Sequence, residues 1–370
     1  MTWRIERLVP GGDGFTRLPD GRAGFATGAL PGDVILPERV EDHRSYLRAT
    51  SFRLVEPSPE RVEPACPIAD ACGGCDLIRL SREAELREKS AMLGEALRRT
   101  GGFRDLPAPH PIITAGSELG YRSRIRVRVD AEGRVGYFAR GTHELVELER
   151  CAVATPEVNQ ALAELRERAR SSRVEPGELE LRATPGEARV SLPEGVELYA
   201  PADAFAQVNA AVNERIIVDL LAGARERGLT TFCDLFAGAG NFALPLARAG
   251  LRGVAIERTG SAIEAGRRAA SAQGLAVRFV AGDVARSLAR ERGPFELAVL
   301  DPPRAGAREV LAPLVRLRPR SIAYLACDIV TLARDLSALT RSGYALERVT
   351  GYDMFPRTHH LEALAWLARA

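Results

Sequence analysis

The sequence predicts an α/β protein: a doubly wound parallel sheet in the carboxy-terminal half, preceded by a small β-barrel and a small central α+β domain. Three observations carry this. From about residue 203, apolar strands alternate with amphipathic helices, the pattern of a sheet covered on both faces. In residues 1–56, short apolar runs are split by turn signals at Pro10-Gly11-Gly12-Asp13-Gly14, Pro19-Asp20-Gly21 and Leu30-Pro31-Gly32-Asp33, the spacing of an antiparallel barrel. Between the two lies a stretch that opens with Cys66, Cys72 and Cys75 crowded together. The domains are therefore placed at 1–56, 57–200 and 201–370.

Bulk properties narrow the class. The chain has 370 residues, 46% hydrophobic and 27% charged, a soluble globular profile. No apolar run reaches the roughly 18 residues of a membrane span, and Met1-Thr2-Trp3-Arg4-Ile5-Glu6 lacks the apolar core of a secretory signal. A cytoplasmic monomer is expected. The net charge of +2 neither demands nor excludes nucleic acid, which needs a local basic face. The positive charge is arginine throughout except for Lys89.

Pro57-Ser58-Pro59 and Pro64 read as a linker. Residues 81–100, rich in Glu, Leu, Arg and Ala, predict a helix. Tyr121–Val129 alternates strictly: Arg122, Arg124, Arg126 and Arg128 share one face of a strand, and Ile125, Val127 and Val129 the other. That arginine face suits either solvent or RNA phosphates. A helix is expected over Pro156–Ser171. Five parallel strands follow at 231–236, 253–257, 277–280, 295–300 and 321–326, with the ligand crevice at their carboxyl ends.

The first of these strands runs into Asp234-Leu235-Phe236-Ala237-Gly238-Ala239-Gly240-Asn241-Phe242. Gly238-x-Gly240-x-x-Ala243 with Glu257 fits a dinucleotide fingerprint as well as an S-adenosylmethionine turn, so on these residues a nicotinamide oxidoreductase stays open. Asp283 suits either the adenine edge or a helix N-cap. Leu300-Asp301-Pro302-Pro303-Arg304 then resembles the Asp/Asn-Pro-Pro motif of S-adenosylmethionine-dependent methyltransferases that act on planar nitrogenous rings, and speaks against the nicotinamide reading. Cys327 ends the fifth strand at a helix start, where the helix dipole favours a thiolate. Cys233, inside the first strand, reads as core.

Tyr324-Leu325-Ala326-Cys327-Asp328-Ile329-Val330-Thr331-Leu332-Ala333-Arg334-Asp335-Leu336 is similar to the catalytic segment of RNA 5-methyluridine methyltransferases, in which Ser-Cys-Asn-Pro precedes Thr-Leu-Ala-Arg-Asp-Leu. Asp353-Met354-Phe355-Pro356-Arg357-Thr358-His359-His360-Leu361-Glu362 resembles that family's carboxy-terminal signature, and Gln207-Val208-Asn209 its Gln-x-Asn. The resemblance covers essentially the whole chain. It implies a Rossmann-like class I methyltransferase domain, Cys327 as nucleophile and Glu362 as base. It also implies a cofactor site lined by Gln207, Phe236, Asn241, Glu257 and Asp301, to which Asp283 is added from its place after the third strand. His359 and His360, alternative bases, read as structural. Asp328-Ile329 departs from the usual Asn-Pro, which keeps alive a non-catalytic RNA-binding protein of the same fold. An inward-pointing Asp328 would also oppose the thiolate.

Cys66-x5-Cys72-Gly73-Gly74-Cys75 with Cys151 resembles the four-cysteine iron–sulfur site of one branch of this family. Four thiolates suit a 4Fe-4S cluster or a structural zinc, and the resemblance favours the cluster. Residues 1–56 resemble the TRAM barrel, an RNA-binding module. Barrel and cysteines together imply ribosomal RNA of the large subunit rather than transfer RNA, by analogy.

Overall fold

The computed structural model describes residues 1–104, 112–171, 174–184 and 186–370. The chain forms two compact units. The first comprises Met1–Glu95, Ser117–Ala183 and Phe355–His360; the second comprises Ala96–Gly116, Thr184–Met354 and Leu361–Ala370.

The first unit opens with β1 (Trp3–Arg4), β2 (Arg7–Leu8), β3 (Gly14–Arg17), β4 (Ala23–Ala26), β5 (Val34–Asp42) and β6 (Tyr46–Glu56). They form one sheet in the order β1-β5-β6-β4-β3-β2. Only Ile5 and Glu6 join β1 to β2, yet these strands hold opposite edges, so the sheet must curl into a barrel. Trp3, Ile5, Leu18, Ala26, Ile35 and Ala49 fill it. The turn from β2 to β3 needs the positive φ of Gly11 (103°) and Gly12 (84°), which glycine adopts without strain. Fully buried Asp33 pins the proline linker to the barrel. It accepts from Leu30 N at 2.7 Å and Ser58 N at 2.9 Å, and takes both arms of the Arg61 guanidinium at 2.7 Å.

Then come α1 (Arg82–Arg99), β7 (Arg124–Val129), β8 (Val135–Phe138), β9 (Leu145–Glu147), α2 (Pro156–Arg170) and β10 (Gly177–Arg182). The sheet order is β10-β7-β8-β9. Thr155 caps α2 and Pro156 opens it. Val158, Leu162, Leu165 and Ala169 recur at helical spacing and share one core with Ile125, Val127 and Val129. The alternating strand starts at Arg124, not Tyr121, because Arg122 bonds the 153–155 loop instead: its N–H donates to Val153 O and its carbonyl accepts from Thr155 N. The one lysine, Lys89, is buried on α1, where it bonds Glu85 one turn away (2.9 Å) and the Phe355 carbonyl (3.2 Å). Arg357 N also reaches Glu85 (2.8 Å), so this buried charge cluster docks the 355–360 segment.

The second unit contains β11 (Ala188–Leu192) and β12 (Val196–Ala200), a hairpin, then α3 (Ala210–Glu226) and β13 (Thr231–Leu235). The βα units continue with α4 (Ala243–Arg248), β14 (Arg252–Glu257), α5 (Gly260–Ala272), β15 (Val277–Ala281), α6 (Val284–Arg290), β16 (Leu297–Leu300), α7 (Arg308–Leu317), β17 (Ser321–Ala326) and α8 (Ile329–Arg341). Two long strands, β18 (Tyr344–Tyr352) and β19 (Glu362–Arg369), close the chain. The sheet order is β15-β14-β13-β16-β17-β19-β18, parallel from β15 to β17, with β19 antiparallel to both its neighbours. Strands β16 and β17 are buried along their whole length, as a sheet covered on both faces requires. The order reverses between β14-β13 and β16-β17, which opens a crevice at the carboxyl ends of β13 and β16.

Candidate active site

Five strands deliver side chains to that crevice. Cys327 follows Ala326, the last residue of β17, and Glu362 precedes Ala363 on β19. Ala326 and Ala363 are register partners, so Cys327 and Glu362 stand opposite one another across adjacent antiparallel strands. Asp301 follows β16, and Gln207 Nε2 donates to it at 3.3 Å. Gln207, Asp301, Cys327 and Glu362 are thus gathered at one end of the sheet.

Burial dominates the electrostatics. It pushes the Asp301 carboxyl up to about 7. Glu362 is raised well above the usual carboxylate range, first by burial and then by Asp301, with Arg304 opposing. Glu362 Oε2 has no hydrogen-bond partner among the described residues. The Cys327 thiol is pushed up to about 12, by burial first, then by Glu362 and Asp301, again with Arg304 opposing. This corrects the expectation of a dipole-stabilised thiolate. A rise of that size is on the order of 4 kcal/mol, and even discounted for partial exposure it outweighs the ~0.3–1 kcal/mol of a helix dipole. The dipole is moreover already engaged, because Asp328 caps α8 and accepts from Val330 N (3.0 Å) and Thr331 N (2.8 Å). Asp328 therefore serves the helix start that the usual Asn-Pro would serve.

The glycine turn after β13 is built for a close approach. Phe236 is held at φ 64°, a left-handed conformation rare for a large side chain, and a Cβ on Gly238 would meet nothing within 4 Å. Glu257 ends β14 and accepts from Gly238 N (3.2 Å) and Thr259 N (2.8 Å). Asn241 is paired through both amides with Asn213, at 2.9 Å each way. Asp283 caps α6 by accepting from Arg286 N at 2.9 Å. Two residues in this crevice were quoted in the motifs without a role. Asp234 is fully buried, neither oxygen has a partner at full hydrogen-bond geometry among the described residues, and burial with the Asp301 charge raises it well above the carboxylate range, against a weaker pull from the Ala243 N–H. Its signal in the sequence is an acid inside an apolar strand. Arg304 is the positive charge acting on both Cys327 and Glu362.

In the first unit, Cys66, Cys72, Cys75 and Cys151 line one cavity with Ile68, Leu148, Val153, Arg122 and Tyr137. Burial pushes the Cys75 thiol up to about 12, with Cys151 adding to it. Asn159 fixes Cys151 by accepting from its N–H (2.8 Å) and donating to its carbonyl (3.1 Å). All six cysteines are free thiols. Among the described residues, no three His, Cys, Asp or Glu side chains are grouped so as to hold one metal ion. Cys233 is buried in β13, as expected of a core residue. His359 pairs with Asp76 at 2.6 Å, a structural placement. The arginine face of β7 is charge-compensated by β10: Arg126 meets Glu180 (3.3 Å) and Arg128 meets Glu178 (3.4 Å). On the barrel, His43 stacks on Tyr46, Tyr46 meets Phe25 edge-on, and Arg48 lies over the Phe25 ring.

Comparison with known proteins decides the family. A sequence model described as tRNA (uracil-5-)-methyltransferase matches residues 196–370. The Pseudomonas putida protein named 23S rRNA (uracil(1939)-C(5))-methyltransferase RlmD is 34% identical over 98% of this chain and 92% of its own length. This chain belongs to the RNA uracil-5-methyltransferase family. An uncharacterized RNA methyltransferase of Bdellovibrio bacteriovorus is 33% identical over 98% of this chain and 93% of its own length. The crystal structure of Pyrococcus abyssi tRNA (uracil-54, C5)-methyltransferase in complex with S-adenosyl-L-homocysteine superposes with a TM-score of 0.77 at 22% identity, covering both chains completely, and shows the same fold. The expected class I methyltransferase fold with an amino-terminal barrel is borne out.

For this uracil-5-methyltransferase the buried acids imply a pH dependence. An acid whose folded value is raised costs nothing while protonated, and destabilises the fold as pH climbs from its unfolded to its folded value. For Asp301 that window runs from 3.8 to about 7. The melting temperature of the unliganded protein should fall across this window. Asp301→Asn should flatten the fall, as read by scanning calorimetry at pH 5 and 7.5. An identical slope in the variant would show that Asp301 ionises freely.

Proposed function

We propose that this methyltransferase transfers a methyl group from S-adenosylmethionine to C5 of a uridine in 23S ribosomal RNA through a covalent adduct at Cys327. The juxtaposition of Cys327 and Glu362 across β17 and β19 carries this reading. C5 of uracil is a weak nucleophile. The Cys327 thiol gives up its proton to solvent, the resulting thiolate attacks C6, an S–C6 bond forms, and the ring electrons move to O4 as an enolate. S-adenosylmethionine supplies an electrophilic methyl group, which C5 takes as the S–CH3 bond breaks and S-adenosylhomocysteine leaves. The Glu362 carboxylate then removes the C5 proton, the C6–S bond breaks, and the thiolate leaves. Burial and Asp301 raise Glu362, so once ionised its carboxylate is a stronger base than an exposed one.

The crevice fits the donor. Asp234 presents a buried carboxyl without a full hydrogen-bond partner among the described residues, matched to the donor's ammonium group, and the space at Gly238 admits close approach to the backbone. Gln207, Phe236, Asn241, Glu257, Asp283 and Asp301 complete the site; capping by Asp283 leaves its second oxygen for an adenine amino group. The choice of 23S RNA follows the named activity of the Pseudomonas putida relative. The aromatic and arginine set of Phe25, Tyr46, His43 and Arg48 suits single-stranded RNA on the TRAM-like barrel. Mapping 5-methyluridine in ribosomal RNA from a deletion strain tests the reading: one uridine of 23S RNA should lose its methyl group, and complete retention would refute it.

The four cysteines supply a donor set that suits an iron–sulfur cluster or zinc, and the family resemblance favours the cluster. A single zinc draws four sulfurs to about 2.3 Å from one point, whereas a 4Fe-4S cluster spreads them over four irons. Here the four thiols line one shared cavity. A role in holding the fold or RNA follows, since these residues lie in the first unit and the crevice in the second. Anaerobically purified protein should be brown with broad visible absorption; a colourless protein with stoichiometric zinc would overturn the assignment.

A further inference from the structure

The Thr-Leu-Ala-Arg-Asp stretch after Cys327 marks the family, and three of its side chains bind a loop. The Thr331 hydroxyl shares its one proton between the Arg304 carbonyl at 3.2 Å and the Asp328 carbonyl at 3.1 Å. Arg334 Nη2 donates to the Ala305 carbonyl at 2.9 Å. Asp335, 1% exposed, accepts from Ala307 N at 2.8 Å, from Tyr324 Oη at 2.7 Å and from Arg334 Nε at 2.9 Å. Positions 331, 334 and 335 share one face of α8, at the i, i+3, i+4 spacing. A Cβ on Gly306, in the middle of the loop, would run into Arg334 and Asp335.

We propose that Thr331, Arg334 and Asp335 are positioning residues that lock the 304–307 turn to α8 and so hold the Arg304 guanidinium before the Cys327 sulfur. Cys327 immediately precedes Asp328, the cap of α8, so the helix that clamps the loop is also the helix that fixes the nucleophile. Arg304 lies past the stiff Pro302-Pro303 pair on an exposed turn. Free, that turn would sample many conformers at a cost of about 1–2 kcal/mol per residue to order. Bonds to three of its four residues remove this freedom before substrate arrives. Held there, Arg304 opposes the burial and the two acids that keep Cys327 protonated, and it favours the thiolate that attacks C6. The inference rests on Cys327 being the nucleophile.

The test reads local charge at Cys327 in the full-length protein. The thiol is alkylated with anionic iodoacetate and with neutral iodoacetamide, and both rates are followed on the Cys327 peptide by mass spectrometry. The ratio of the two rates reports nearby positive charge and cancels changes in exposure and thiolate fraction. Arg304→Gln should lower the ratio by roughly fivefold. Thr331→Val and Asp335→Asn, which keep Arg304, should lower it at least about twofold, and Arg304→Gln with Asp335→Asn should lower it no further than Arg304→Gln alone. Direction is diagnostic, because simply deleting the negative charge of Asp335 would raise the ratio. If Asp335→Asn fails to fold, Thr331→Val carries the test, since it removes one hydroxyl. Wild-type ratios in Thr331→Val and Asp335→Asn beside a lowered ratio in Arg304→Gln would overturn the clamp. An unchanged ratio in Arg304→Gln would remove Arg304 from Cys327 altogether. Failure of the nucleophile assignment shows separately, as methylation by Cys327→Ala.

Discussion

Cys327→Ala is expected to lower methyl transfer at least about 10⁴-fold while S-adenosylmethionine affinity stays within about threefold. The two effects separate because of where the groups stand. Cofactor contacts are proposed for the ends of β13, β14 and β16 and for Gln207, whereas Cys327 ends β17 beside Glu362. Without sulfur, C6 is not attacked, the ring does not become an enolate, and C5 stays too weak a nucleophile to take the methyl. The substitution removes one small polar group from a half-buried position, so stability should change by no more than ~1 kcal/mol. Incorporation of labelled methyl into RNA reads the first effect and calorimetric titration the second. Retained C5 methylation would mean that C5 reacts without covalent activation, since Cys233 is buried within β13.

Much of the sheet was legible because its strands are covered on both faces. Leu297–Leu300 and Ser321–Ala326 read as apolar runs with helical patterns between them, and runs of that kind have little alternative. The glycine turn and the Asp-Pro-Pro step showed where a ligand approaches. What pattern could not show is long-range partnership. The cross-strand match of Arg126 and Arg128 with Glu180 and Glu178 lies some fifty positions away, so the arginine face read as open charge. The partner of Lys89, the Phe355 carbonyl, comes from the far end of the chain, which no local pattern shows. Asp234 stood in the motif, but its full burial without a strong hydrogen-bond partner among the described residues is a fact of three dimensions. The Cys327 thiol was misjudged because a helix start implies free N–H groups, and Asp328 had taken them.

Glu362→Gln is expected to trap the reaction halfway. Glutamine matches glutamate in size at this 4% exposed position, so the strand pairing that sets it opposite Cys327 should survive. It cannot accept a proton. Thiolate attack and methyl transfer should both proceed, and the C5 proton should then remain. Elimination of the Cys327–C6 bond requires that proton to leave, so the enzyme should stay bound to methylated RNA, with turnover reduced by at least about 10³-fold. The direct measurement is denaturing electrophoresis of Glu362→Gln after incubation with unmethylated 23S RNA and methyl-labelled S-adenosylmethionine. The covalent account predicts a protein–RNA band that carries the label, absent without the donor and absent in the Cys327→Ala, Glu362→Gln double variant. Normal turnover with no such band would contradict it.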